Sequence, residues 1–147
     1  MKLLLIEDNQ NKVNQIKSFL QSEFPNIELV IKGSYHSGLR EIILNNVYNL
    51  ILLDISMPTY DIKPGESGGD PIPLAGKLIL KEMFLRDIES KVLVVTMYEN
   101  FVDGTRLDEL HEQFSNEFSS NYKGFVYFSP ADISWKENLK TKLKELL

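Results

Sequence analysis

Apolar residues along this chain follow two rhythms. Five short runs, Leu3–Ile6, Ile27–Ile31, Leu50–Leu53, Val92–Val95 and Phe125–Phe128, read as strands. The first, third and fourth are almost unbroken, as strands covered on both faces are. Between and after them apolar residues recur at helical spacing. The stripes are Val13, Ile16, Phe19, Leu20 and Phe24; Leu39, Ile42 and Ile43; Leu78, Ile79, Met83 and Phe84; Leu107, Leu110, Phe114 and Phe118; and Trp135, Leu139, Leu143 and Leu146. Strand and helix therefore alternate five times, which predicts an α/β domain: a parallel sheet, doubly wound, with helices on both faces. Thr105–Asp108 and Ser134–Glu137 fit the capping box and predict helix starts.

One stretch breaks the rhythm. Residues 55–76 hold four of the six prolines and four of the eight glycines. Connections in α/β units usually run about 2–6 residues. A surface insertion at about 58–76 is expected, beside whatever site the sheet builds. It is not a phosphate loop, because the glycine before Gly76-Lys77 is wrongly spaced and Leu78 replaces the hydroxyl residue.

Composition narrows the function classes. The 147 residues suffice for one domain with a real core. A net charge of −5 argues against a general nucleic-acid or anionic-membrane binder. Without cysteine there is no disulfide, no thiolate metal site and no cysteine nucleophile. The opening MKLLLIED is no signal peptide, and no run approaches the roughly 20 apolar residues of a membrane span, so a cytoplasmic location is expected.

Two strands end on acids. Glu7-Asp8 follows the first and Asp54 the third. Thr96 ends the fourth and Ser129 follows the fifth. In open α/β sheets the functional crevice lies beyond the carboxyl ends of the strands. If the first, third, fourth and fifth strands are neighbours, these side chains share one edge. Two like charges about 4 Å apart repel by about 4 kcal/mol at an effective dielectric near 20, so such a cluster holds a proton or a cation. All-oxygen ligands suit Mg²⁺. A carboxylate beside the ion is also a nucleophile for a phosphoryl group. His36 and His111 lack metal-ligand spacing and read as surface residues.

With these residues in this order, the sequence resembles the receiver domain of bacterial two-component response regulators over nearly its whole length. The resemblance implies a (βα)5 flavodoxin-like fold with strand order 2-1-3-4-5. It makes Asp54 the phosphoacceptor, with Pro58 four positions on, and Thr96 the hydroxyl after the fourth strand. It implies Mg²⁺ held by Glu7, Asp8, Asp54 and the main-chain carbonyl of Ser56. It further implies a single domain over 1–147 with no output domain, no enzyme beyond self-phosphorylation and auto-dephosphorylation, and no direct contact with nucleic acid or membrane. A sensor histidine kinase or phosphotransfer protein would be the donor, an unknown downstream protein the target. The face of the fourth helix, fifth strand and fifth helix would serve for a homodimer.

Departures from the pattern support a second reading, a degenerate receiver that binds proteins independently of phosphorylation. Ser129 precedes Pro130 where the family has a lysine that contacts the phosphoryl group. Losing one preorganised donor costs roughly 3 kcal/mol in other active sites. Met97 stands where a small residue is usual, and Val126 falls on the aromatic switch position, with Phe125 and Tyr127 facing away. The resemblance also implies a cis bond before Pro130. A third reading, an aspartate-dependent phosphatase, is disfavoured because Ser56 occupies the place of its second acid.

Overall fold

A computed structural model describes residues 1–147. The chain runs β1 (Lys2–Ile6), α1 (Gln10–Glu23), β2 (Glu28–Lys32), α2 (Tyr35–Leu44), β3 (Leu50–Leu53), β4 (Met57–Pro58), β5 (Pro71–Ile72), α3 (Ala75–Leu85), β6 (Lys91–Thr96), α4 (Leu107–Glu117), β7 (Tyr122–Tyr127) and α5 (Ser134–Leu146). The central sheet is β2-β1-β3-β6-β7, parallel throughout. With β6 and β7 as the fourth and fifth central strands, this is the order 2-1-3-4-5. No helix is long and apolar enough to cross a membrane.

Alternation of side chains along the strands splits the core into two layers. Leu4, Ile6, Ile51, Leu53, Val92 and Val94 face α2, α3 and α4. Leu3, Leu5, Leu50, Leu52, Leu93 and Val95 face α1 and α5. On the second face Trp135 lies against Phe128 and Phe19, with ring centroids 4.7 and 5.5 Å away. All four residues of β3 are buried because helices cover it on both sides.

Several local expectations are corrected. Neither capping box forms: Ser134 and Thr105 lend no side-chain cap to α5 or α4. Asp132 and Asp103 instead accept the backbone N–H two residues on, from Ser134 and Thr105, at 3.0 Å each. An aspartate reaches that N–H in a tight turn and competes with the longer capping loop. By contrast Asn9 and Ser34 cap α1 and α2, accepting from the N–H of Lys12 and Ser37. On α3 the buried face is Ala75, Gly76, Ile79, Leu80 and Met83, while Leu78 and Phe84 are 40% and 54% exposed. That helix is apolar nearly all round, so periodicity alone does not orient it.

The edges of two strands also shift. The second strand runs Glu28–Lys32 and the last Tyr122–Tyr127, displaced by three residues at its start. Val126 packs into the α1/α5 layer, and the α4 side of β7 carries Phe125 and Tyr127. An aromatic facing α4 is therefore present, on residues adjacent to the expected one. The bond before Pro130 is trans, the lower-energy isomer for any X–Pro pair.

The Pro/Gly-rich segment is a folded hairpin. Met57 pairs with Ile72 and Pro58 with Pro71, antiparallel. The turn closes through Tyr60 N–H to the Gly68 carbonyl at 2.8 Å. Gly68 and Gly69 have φ of +79° and +77°. A Cβ on Gly68 would sit 2.9 Å from the Tyr60 carbonyl oxygen, so glycine is required there. The hairpin is tied to the start of α2: the His36 N–H donates to the Thr59 carbonyl at 2.9 Å, and the Ser37 hydroxyl to Asp61 at 2.8 Å. His36 and Tyr60 rings lie 5.2 Å apart on the surface.

Candidate functional site

The parallel ladder itself brings the acids together. Ile6 of β1 pairs with Leu53 of β3. One residue further, the Asp54 N–H donates to the Ile6 carbonyl at 3.1 Å, and the Glu7 N–H to the Lys32 carbonyl at 2.9 Å. Glu7 and Asp54 therefore leave adjacent strands side by side. Glu7 folds back over the turn into α1, one of its oxygens accepting from the Asp8 and Asn9 N–H groups at 3.1 Å each. Each of Glu7, Asp8 and Asp54 offers an oxygen within 4.8 Å of the others. Glu7 and Asp54 are 3% and 5% exposed, whereas Asp8 is open to solvent.

This cluster lines a cleft of about 340 Å³ together with Ser56, Met97 and hairpin residues including Ile62, Gly69 and Pro71. Ser56 is anchored by its hydroxyl, which donates to the Pro73 carbonyl at 2.6 Å. Behind Asp54, Gly76 of α3 donates its N–H to the Ile55 carbonyl at 2.9 Å. A Cβ there would stand 2.7 Å from the Asp54 carbonyl oxygen, so only glycine lets α3 approach this closely.

The other two rim residues are less engaged. Thr96 is fully buried at the end of β6, and its hydroxyl oxygen accepts the Tyr98 N–H at 3.2 Å. Ser129 is half-buried and has no side-chain hydrogen bond. Met97 does flank the cleft, with Tyr98 and Val102. His111 is exposed, and its Nδ1 lies 2.7 Å from the Tyr122 hydroxyl.

Sequence reading missed one residue, Lys12. It is 1% exposed. Its Nζ meets Glu7 in an ion pair, lies 3.5 Å from Asp54 Oδ1, and donates to the Val95 carbonyl at 2.6 Å. A signal was present. Lys12 stands four residues before Ile16 and seven before Phe19, on the apolar face of α1. It is also a cation in the first turn of a helix, where the dipole disfavours positive charge. The fully buried lysine is rare unless paired.

Burial sets the protonation of the cluster. Desolvation, and then the charge of Asp54, push the Glu7 carboxyl up to about 7, with Lys12 opposing. Desolvation raises Asp54 above the usual carboxylate range, again against Lys12 and the Ile55 N–H at 2.8 Å. Asp8 is raised by burial and by Glu7. Three carboxylates that carry their negative charge unwillingly suit a divalent ion, which removes the repulsion. The donor set is all oxygen, the chemistry that a hard cation such as Mg²⁺ selects.

No protein-family model matches the chain. It is 30% identical over 146 residues to an uncharacterised protein, y4jR, of Sinorhizobium fredii, with 95% of each covered. It is 28% identical over 151 aligned positions to the Detocs response regulatory protein DtcB of Enterobacter cloacae, covering 99% of this chain and all of that one. Among solved structures it is similar to a CheY-like response regulator receiver domain from Methanospirillum hungatei, at 25% identity and a TM-score of 0.56, with 98% and 97% covered. The receiver domain of a Pseudomonas aeruginosa sensor histidine kinase, at 16% identity, superposes with a TM-score of 0.63 over 99% and 95% of the chains, and has a magnesium ion coordinated in its active site cleft. A sheet wound in this order, acids gathered on its carboxyl edge and relatives of this kind along the whole chain lead to one conclusion: the protein has the receiver fold and is similar over its whole length to response regulators.

Proposed function

We propose that this receiver accepts a phosphoryl group on Asp54 and signals by binding another protein. The observation that carries the reading is the convergence of Glu7, Asp8 and Asp54 on one cleft. Mg²⁺ would be held by these three carboxylates and the Ser56 main-chain carbonyl, and would offset the charge of the incoming phosphoryl oxygens. The Asp54 oxygen not engaged by the Ile55 N–H is the nucleophile. It forms the new P–O bond while the donor's P–N bond breaks, its electron pair leaving on the donor nitrogen. The Thr96 hydroxyl has an unused proton to give one phosphoryl oxygen once the loop after β6 shifts.

The donor on this reading is a sensor histidine kinase or phosphotransfer protein. The target is a downstream protein, or a second copy through the α4–β7–α5 face. Residues 1–147 act as one receiver unit, with the hairpin at about 58–76 as an accessory to the cleft. No catalytic turnover on a separate substrate is part of the reading.

The test is intact mass after incubation with phosphoramidate and Mg²⁺. One phosphoryl adduct is expected, and Asp54→Asn abolishes it. An adduct unchanged in that variant overturns the assignment. The degenerate reading is favoured by the idle Ser129 hydroxyl and by Met97 beside the cleft. Titration with Mg²⁺ and beryllofluoride separates the two: a working switch gives NMR shifts that reach α4, and metal binding without them favours the degenerate receiver.

A further inference from the structure

We infer that Lys12, whose Nζ reaches Glu7 and Asp54 from α1 beneath the cleft, is the cation that meets the phosphoryl group in place of the lysine missing at Ser129. The inference rests on Asp54 as acceptor and adds a residue to that site.

Three observations carry it. First, the placement is costly. A lysine that is 1% exposed gives up its hydration, and it sits in the first turn of α1 where the helix dipole repels it. Packing does not require an ammonium here, since neighbouring positions on this face are Ile16 and Phe19. Secondly, the Nζ is aimed at the reacting group. It is 3.5 Å from Asp54 Oδ1, the oxygen also held by the Ile55 N–H, which leaves the other oxygen for phosphorus. The Val95 carbonyl fixes it from behind at 2.6 Å. Thirdly, the expected position is idle, because Ser129 has no side-chain hydrogen bond and no charge.

The charges also balance. Three carboxylates call for one divalent ion and one more positive charge, and Lys12 is the only lysine or arginine paired with any of the three. A cation fixed before the reaction costs no reorganisation when charge builds on the phosphoryl oxygens. An ammonium has no lone pair, so Lys12 is not a metal ligand. Its role is to hold Asp54 before transfer and to meet the phosphoryl oxygens afterwards.

The test compares the wild type, Lys12→Met, and Lys12→Met combined with Ser129→Lys, each with phosphoramidate and Mg²⁺. Lys12→Met is expected to fold, to retain Mg²⁺ binding, and to phosphorylate about 100-fold more slowly. Ser129→Lys in that background should restore at least part of the rate, which a merely structural lysine would not allow. Equal rates in wild type and Lys12→Met overturn the inference, as does a slow variant that Ser129→Lys leaves unchanged. A wild type that takes no phosphoryl group overturns the acceptor reading itself, and the role of Lys12 falls with it. A second measurement needs no variant. In the Mg²⁺-loaded wild type the Lys12 Nζ resonance must move when beryllofluoride is added, and a stationary resonance overturns the inference.

Discussion

The two ends of the sheet's carboxyl edge are built on different plans. At the β1–β3 end, acids leave adjacent strands, bury themselves and meet a lysine sent in by a helix. At the β6–β7 end, Thr96 is buried, Ser129 is uncharged, and Tyr127 opens onto an exposed groove with Leu107 and Phe125. The buried charge at the rim is concentrated at one end, while the groove at the other carries Glu99, Arg106 and Asp108 at its surface. The difference teaches that a site's charge need not come from the strands that define its edge. Strands fix where the acids stand, and a helix passing beneath can supply the counter-charge.

The sharpest way to break this comparison is to unbalance the charged end. Removing one partner of a buried ion pair is costly, whereas replacing the whole set by apolar groups is often neutral. Glu7→Ala should therefore lose about 3 kcal/mol in urea denaturation without Mg²⁺, because Lys12 is left with Asp54 alone at 3.5 Å. Lys12→Met should lose less, because Glu7, already raised to about 7 by burial and by Asp54, can take up a proton and shed its charge. Equal losses in the two variants would mean that packing around Lys12, and not charge pairing, governs this end.

Next in size is the contact of α3 with the back of Asp54. In Gly76→Ala the new methyl meets backbone, which cannot rotate away. The cost expected is about 2 kcal/mol. Because the clash is with the Asp54 carbonyl, the phosphorylation rate should fall along with the melting temperature. A variant that loses stability but keeps its rate would show that α3 and the acceptor loop move independently.

How much of this was legible follows the same division. The strands and the acids that end them could be read because apolar runs and their polar ends are local signals, whereas the sheet order came only with the family resemblance. Asp54 and Glu7 required only that the first and third strands be neighbours. Lys12 was hidden because it is read against a helix stripe, where one lysine among Val13, Ile16 and Phe19 passes for a stray surface residue. The α3 face was hidden by the opposite fault, too many apolar positions to choose among. The capping boxes misled because Asp103 and Asp132 offered shorter turns to the same N–H groups. That residues 58–76 lay beside the site followed from their place after Asp54. That they fold as a hairpin depends on a β4–β5 pair of two residues per strand and on contacts with α2, which no local pattern announces.

The hairpin extends the comparison, since it walls only the charged end. Ser37→Ala removes a hydroxyl that donates to Asp61, and should cost about 1 kcal/mol locally. Hydrogen exchange at Tyr60 and Gly69 should accelerate while the central strands stay protected. Should global stability fall by the same amount as local stability, the hairpin belongs to the cooperative core and is not a separable wall.

The smallest effect expected is also the most discriminating. Ser129→Lys in the otherwise native protein places a cation at the β6–β7 end. The resemblance to other receivers suggests that this should accelerate phosphorylation strongly, by restoring a lost donor. With Lys12 already against Asp54, the second ammonium has no unpaired carboxylate to meet once Mg²⁺ is bound, and it repels both cations. The two positions would then substitute for each other without adding, and the rate with phosphoramidate should change by less than about threefold, roughly 0.7 kcal/mol. A large acceleration would show that Lys12 leaves the phosphoryl group underserved, and that the β6–β7 end of the edge is a true deficit.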